Sequence, residues 1–306
     1  MPSGRIYGLG ERQREFSLVP GTWTMWANGR ETPYDDGTGG KQTYGVHPFA
    51  LVQTQEKDEW MGIFFRNSNA MSPIITQGEW NNVTNHTLTY LSTGGQLEMY
   101  FFTKGSSKEI IQAYHSMIGK PTLTPFWSMG WQAASYDYKD LATYDTVIAA
   151  YKKADIPLEG VFFDIPYLAD GADFSVNTKT FPNLKTWSQN FHKNNQKLTV
   201  IIDGGISADN FEDYYYSMAA DQKVLLKSAI NKDVDGGWLT QHVWSKKSVF
   251  LDFMNDQAGM IWMHGINALF EDVEYDGLWL DMNEATGFCD GECVGGVVPV
   301  PPTPSA

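Results

Sequence analysis

Lys197-Leu-Thr-Val-Ile-Ile-Asp203 is a nearly unbroken apolar run that ends on an acid. A strand with one wet face alternates apolar and polar residues, and a strand covered on both faces does not. This run therefore reads as a strand inside a parallel sheet. Gly160-Val-Phe-Phe-Asp-Ile165 and Gly277-Leu-Trp-Leu-Asp-Met282 have the same form, and Phe126 to Ala134 reads as a further apolar strand. Helical spacing fills the intervals. Leu141, Tyr144, Val147, Ile148 and Tyr151 share one face over 141–154, residues 183–195 read as a second helix, and Trp262, Ile266, Leu269 and Phe270 mark a third. Strands alternating with helices predict an α/β sheet covered on both sides. Four such units do not close an eight-stranded barrel. Residues 204–253, rich in Asp, Tyr, Trp and Gly, read as an irregular insert after the third strand, and a loop of that length usually carries function.

Upstream the pattern differs. Short runs such as Trp60-Met-Gly-Ile-Phe-Phe65 and Gln96-Leu-Glu-Met-Tyr-Phe-Phe102 are separated by turn clusters such as Ser92-Thr-Gly-Gly95, which predicts β-structure. A helix is expected from Ser107 to Ile118, stopped by Lys120-Pro121. The expected organisation is a β-domain over 1–105, a connecting helix and linker over 106–124, and an α/β domain over 125–306. It closes on the proline-rich Val298-Pro-Val-Pro-Pro-Thr-Pro304, which cannot extend a sheet.

Composition narrows the function. The net charge of −14, from 22 basic and 36 acidic residues with no basic block, disfavours nucleic acid and anionic membrane surfaces as partners. No run is long and apolar enough for a membrane span, and no secretion signal follows Met1, so any such signal is expected outside this chain. Eleven tryptophans, within 14% aromatic residues, suit either sugar stacking or a large aromatic core. The two cysteines, in Cys289-Asp-Gly-Glu-Cys293, suit a small disulfide loop and free thiols about equally. Asn82-Val-Thr84 and Asn85-His-Thr87 are acceptor sequons for N-glycans, a weak pointer to a luminal or secreted setting.

Three of the apolar runs carry an aspartate at their ends: Asp164, Asp203 and Asp281. In parallel α/β folds the carboxyl ends of strands converge on the ligand crevice, so three acids there would line one pocket. Any one of them alone could equally cap the next helix. Paired carboxylates at such a mouth are what glycosidic cleavage needs, one ionised to attack the sugar carbon and one protonated to supply the leaving oxygen. Asp281 lies among Trp279, Leu280 and Met282, apolar neighbours that exclude water, while Glu284 either supports the site or begins a helix. No nucleophile elbow, phosphate loop, His-Glu-x-x-His pair or second cysteine pair is present, so neither a cofactor nor a metal is expected.

Trp279-Leu-Asp-Met-Asn-Glu284 resembles the nucleophile motif of glycoside hydrolase family 31, the α-glucosidase family that includes lysosomal and intestinal enzymes. Further matches follow in family order: Gly8-Leu-Gly-Glu-Arg12, Tyr44-Gly-Val-His-Pro-Phe49, Phe65-Arg-Asn-Ser-Asn-Ala-Met71, Gly94-Gly-Gln-Leu-Glu-Met-Tyr100, Phe126-Trp-Ser-Met-Gly130 and Asp164-Ile-Pro-Tyr-Leu168. The resemblance implies an N-terminal antiparallel β-sandwich, then the first four strands of a catalytic (β/α)8 barrel. It implies Asp281 as nucleophile of a retaining, exo-acting α-glucosidase that takes terminal α-linked glucose from an oligosaccharide or disaccharide. Asp164 would bind that glucose's hydroxyls, and Trp279, Met282, Trp244, Tyr136 and Ile206 would wall its subsite. Glu31, in Gly29-Arg-Glu-Thr-Pro33, matches a loop acid of the N-terminal domain, with Asp35 or Asp36 as alternatives. The acid/base residue is expected beyond Ala306. Ser245-Lys246 departs from the family's Pro-Gly after Trp244, and Leu280 tilts placement toward the lysosomal or secreted branch. An α-xylosidase of the same family, and a non-catalytic glycan-binding relative, are the alternatives.

Overall fold

The computed structural model describes residues 4–13, 15–26, 41–54, 59–80, 83–103, 105–209, 213–230, 232, 235–282, 285–289 and 292–293. The chain divides into two compact units, Met1–Leu123 and Thr124–Ala306.

The first unit contains β1 (Ile6–Gly8), β2 (Arg12–Gln13), β3 (Gly21–Thr22), β4 (Lys41–Gln42), β5 (Phe49–Gln53), β6 (Trp60–Phe65), β7 (Met71–Trp80), β8 (Val83–Ser92) and β9 (Met99–Thr103). All its pairings are antiparallel. One sheet runs β1-β5-β6-β9, a second runs β3-β7-β8, and β2 pairs β4. Ile6, Ala50, Val52, Ile63 and Phe65 of the first sheet pack against Met71, Ile75 and Leu88 of the second, with Trp23 and Met25 beside them. Two sheets sharing one apolar layer make a sandwich. Helix α1 (Ser107–Ile118) covers the other face of the first sheet, where Ile110 and Tyr114 meet Phe49 and Phe64. The helix starts where Ser106 and Glu109 form a reciprocal capping box, and its cap at Gly119 lies just before Lys120-Pro121.

The second unit is built on a parallel sheet of β10 (Gln132–Ala133), β11 (Gly160–Phe163), β12 (Lys197–Asp203) and β16 (Gly277–Asp281), in that order. Helices α2 (Leu141–Lys153), α3 (Leu184–His192) and α5 (Asp256–Val273) connect its strands. Val161, Phe163, Leu198, Val200 and Ile202 point away from the acids into a core shared with Leu141, Tyr144, Leu184, Phe191 and Leu269. Each fully buried methylene there stabilises by about 0.8 kcal/mol. The Tyr144 hydroxyl donates to Phe162 O at 2.8 Å, which fixes α2 against β11. Helix α5 buries Ala258, Ile261, Gly265, Leu269 and Val273, a stripe at helical spacing. A Cβ at Gly265 would lie 2.5 Å from the Phe174 ring, so only glycine permits this approach.

Three expectations need correction. Phe126 to Ala134 is not a strand: Phe126–Met129 is a 3-10 turn, and only Gln132–Ala133 pairs. Pro125 removes one backbone donor, and Gly130 donates back to Trp127 O, closing the turn. Phe270 is not on the core face of α5. It is 44% exposed and meets the Tyr275 ring edge-on, because its neighbour Leu269 takes the buried position. The insert is not irregular either. It holds β13 (Gly205–Ser207), α4 (Tyr214–Asp221), β14 (Thr240–Gln241) and β15 (Ser248–Phe250), with β15 central in an antiparallel sheet. Ile206, Tyr216, Val224, Leu225, Val249 and Leu251 pack with Ala258 and Ile261 of α5 into a core of its own. Where Ser245-Lys246 replaces Pro-Gly, the Lys246 and Lys247 N–H groups donate to the Asp209 carboxylate at 3.1 and 2.7 Å, and Ser245 Oγ lies 2.7 Å from Ser248 Oγ.

Candidate active site

The register of the parallel sheet assembles the strand-end acids. Asp203 and Asp281 are direct partners across β12 and β16, and Phe163 pairs with Val200 one residue before Asp164. Side chains alternate along a strand, so Asp164, Asp203 and Asp281 all fall on one face, opposite Val200 and Ile202. The rings of Phe162 and Trp279 share that face and meet edge-on at 6.1 Å, forming an aromatic floor two residues below Asp164 and Asp281.

The acids differ in environment. Asp203 is 2% exposed, and neither carboxylate oxygen has a hydrogen-bond partner among the described residues. Burial, followed by the charges of Asp173, Asp281 and Asp164, pushes its pKa up to about 9. Asp173 is buried too, and its Oδ1 accepts the Asp203 N–H at 3.0 Å. Burial raises its pKa well above the carboxylate range against that hydrogen bond, with Asp281's charge adding to the rise. Asp164 is half-buried. Burial raises its pKa, while the Ile165 N–H, donated to Oδ1 at 2.7 Å, and the Lys139 charge pull it back. Asp164 thus caps the turn that follows it while its other oxygen stays available. Asp281 is half-buried, and the chain turns sharply after it, with Met282 in the left-handed region at φ 50°. A non-glycine residue held there costs roughly 1–3 kcal/mol, and such strain collects at functional sites.

Two walls flank this face. Tyr136, 40% exposed after β10, lies 5.8 Å from the Trp244 ring of the insert, with Lys139 Nζ 3.2 Å above the Tyr136 ring. Trp244 Nε1 is buried without a hydrogen-bond partner among the described residues. Ile206 is 3% exposed inside the core of the insert. Glu31 and Glu284, together with Asp35 and Asp36, lie outside the described residues. Asp173 has no signal in the sequence: it follows no apolar run, and only the packing of the loop after β11 carries it beside Asp203. A cleft of about 770 Å³ in the first unit is lined in part by His47, Phe64, Arg66 and Asn69, with no acid among its described lining residues.

Residues 121–304 match the model of the glycosyl hydrolases family 31 TIM-barrel domain, and residues 1–72 match the glycosyl hydrolase 31 N-terminal galactose mutarotase-like domain. The chain is 33% identical over 298 residues to an alpha-glucosidase of Mucor javanicus, covering 96% of this chain and 32% of that protein. It is 30% identical over 303 residues to intestinal sucrase-isomaltase of Suncus murinus, covering 96% of this chain and 16% of that protein. The structure superposes on ER glucosidase II with a TM-score of 0.80 at 21% identity, over 93% of this chain and 32% of that one. It superposes on a Flavobacterium johnsoniae dextranase complexed with glucose with a TM-score of 0.76 at 24% identity, over 93% of this chain and 33% of that one. The chain belongs to glycoside hydrolase family 31, as an N-terminal sandwich followed by part of a TIM barrel. The chain spans about a third or less of the length of these curated relatives.

Proposed function

We propose that this chain carries the nucleophile half of a retaining, exo-acting α-glucosidase. The register pairing of Asp203 with Asp281, with Asp164 on the same face, carries this reading. Asp281 stands at the open edge of the acid cluster, where a carboxylate oxygen can reach a sugar carbon from the β side. Attack there forms the glycosyl-Asp281 ester and breaks the bond to the leaving oxygen. Water then attacks the same carbon and releases Asp281, and two inversions give net retention. The leaving oxygen needs a proton from a second acid, a role assigned to none of the described residues.

Asp164 holds hydroxyls of the terminal glucose through its uncapped oxygen, Trp279 and Met282 contact its ring, and Tyr136 and Trp244 wall the entrance. Ile206 supports that wall from the core of the insert. Glu284 and Glu31 keep their expected supporting and loop roles. The boundaries 1–105, 106–124 and 125–306 describe the sandwich, connector and barrel portion. The substrate is a neutral α-glucoside, the charge of −14 gives no footing for nucleic acid, and a lysosomal, secreted or other luminal setting suits the two sequons. No helix among the described residues is long and apolar enough to cross a membrane. A mechanism-based fluorosugar incubated with the full-length protein is expected to label the peptide containing Asp281. A label elsewhere, or an active enzyme that takes no label, sinks the mechanism.

A further inference from the structure

Apart from the strand-end acids, a set of contacts ties the segment after β16 to the insert. Phe288 N–H donates to His242 O at 2.8 Å, and Cys293 N–H donates to Thr240 O at 3.1 Å, so this segment runs along the edge of β14. Cys289 N–H donates to Gln241 Oε1 at 3.3 Å, and His242 N–H donates to Cys293 Sγ at 3.1 Å. Glu292 accepts the Ala229 N–H at 3.0 Å and also the Ser228 hydroxyl, which fixes the far side of the segment to the loop at Ser228–Ala229 of the insert. Cys289 and Cys293 are joined in a disulfide with Cα atoms 5.4 Å apart. At Gly287 an added Cβ would lie 2.6 Å from Gln241 Oε1 and 2.8 Å from His242 O, so the two backbones approach as closely as glycine permits.

The position of one ring follows from these contacts. Phe288 is edge-on to His242 at 5.6 Å and to Trp244 at 5.2 Å, while Tyr136 approaches Trp244 at 5.8 Å. Trp244 is therefore held between two rings, one of them anchored through the disulfide loop. A bridge between residues four apart restricts the unfolded chain less than a bridge closing a long loop would, so its consequence is mainly local. The last described stretch of the chain and the insert approach each other at Phe288, beside Trp244.

We propose that the Cys289–Cys293 loop is a positioning clasp, which through Phe288 sets Trp244 as a wall of the ligand site. The ligand part of this assignment rests on the α-glucosidase reading. The clasp itself rests on the contacts above.

The test uses the full-length protein in four forms: unaltered, Cys289→Ser/Cys293→Ser, Trp244→Phe, and all three substitutions together. Opening the loop is expected to raise KM for a nitrophenyl α-glucoside about 3- to 10-fold with kcat changed less than about 2-fold, and to add nothing further once Trp244→Phe is present. An equal rise in both backgrounds, or no rise, overturns the clasp. Near-ultraviolet circular dichroism needs no turnover. Opening the loop should remove the tryptophan signal that Trp244→Phe removes, and an unchanged spectrum also overturns the proposal. A protein that cleaves no α-glucoside but shows the expected spectral loss would refute the glucosidase reading and leave the clasp standing. If the double serine variant does not fold, Phe288→Leu, which keeps the disulfide, should give the same KM shift and spectral change.

Discussion

Strands β12 and β16 lie side by side in register, yet equivalent positions on them meet different surroundings. Ile202 is fully buried, whereas its partner Leu280 is 57% exposed; Asp203 is 2% exposed, whereas its partner Asp281 is half-buried. A central strand is covered by neighbours on both sides and helices on one face, whereas β16 has a neighbour only on the β12 side among the described residues. The same residue type at the same height thus becomes a buried acid with a raised pKa in one strand and a reachable carboxylate in the next. Burial separates the two roles; residue chemistry alone does not.

The largest effect that would break this comparison is at the reachable acid. In the full-length protein Asp281→Asn is expected to lower kcat on α-glucosides roughly 10⁴- to 10⁶-fold, as loss of a nucleophile does in other hydrolases. Steady-state kinetics with retained near-ultraviolet dichroism would check it, and a loss below tenfold would remove Asp281 from the chemistry. Next comes the core. Ile202→Ala should destabilise by about 2–5 kcal/mol in denaturant unfolding because it leaves a cavity between β12 and the helices.

The buried acid comes third, and its sign is set by linkage. The folded pKa of Asp203 is about 9, above its unfolded value, so the unfolded chain releases this proton first as pH rises. The contribution to stability is whole below about pH 4 and is lost progressively as pH rises toward about 9. Asp203→Asn keeps the neutral form at every pH. The variant should therefore hold its melting temperature better between pH 5 and 8, by roughly 5 °C at the upper end. Parallel melting curves for the two proteins would contradict the burial argument. The smallest effect is at the exposed partner, where Leu280→Ala should change stability by no more than about 0.5 kcal/mol. A cost near that of Ile202→Ala would mean the two strands are equally covered.

The strongest periodic segments were legible in sequence. The bounds of β12 and α1 follow to the residue from an apolar run ending in acid and from a helical stretch with a proline stop. The ends of β11 and β16 are legible to within two residues. The region 126–134 was not, because local turn closure between Pro125 and Gly130 competes with apolar composition and wins. Nor was the order in the insert, whose short strands at 205–207, 240–241 and 248–250 each lack a period of their own and are stable only as a paired set. In the site, Asp164, Asp203 and Asp281 are visible as strand ends. Asp173 and Phe288 are not, since no pattern along the chain records which loop folds back onto which strand.

By itself, the sequence determined the alternation of strand and helix, the family, and three acids brought to one end of a sheet, because these depend on local periodicity and on which residues end apolar runs. Tertiary structure alone decided which of those acids is buried and which reachable, that Asp173 joins them, and that a disulfide loop holds a ring against Trp244. Those outcomes depend on coverage by residues distant in the chain, and desolvation, which sets the charge of an acid, is a property of that coverage.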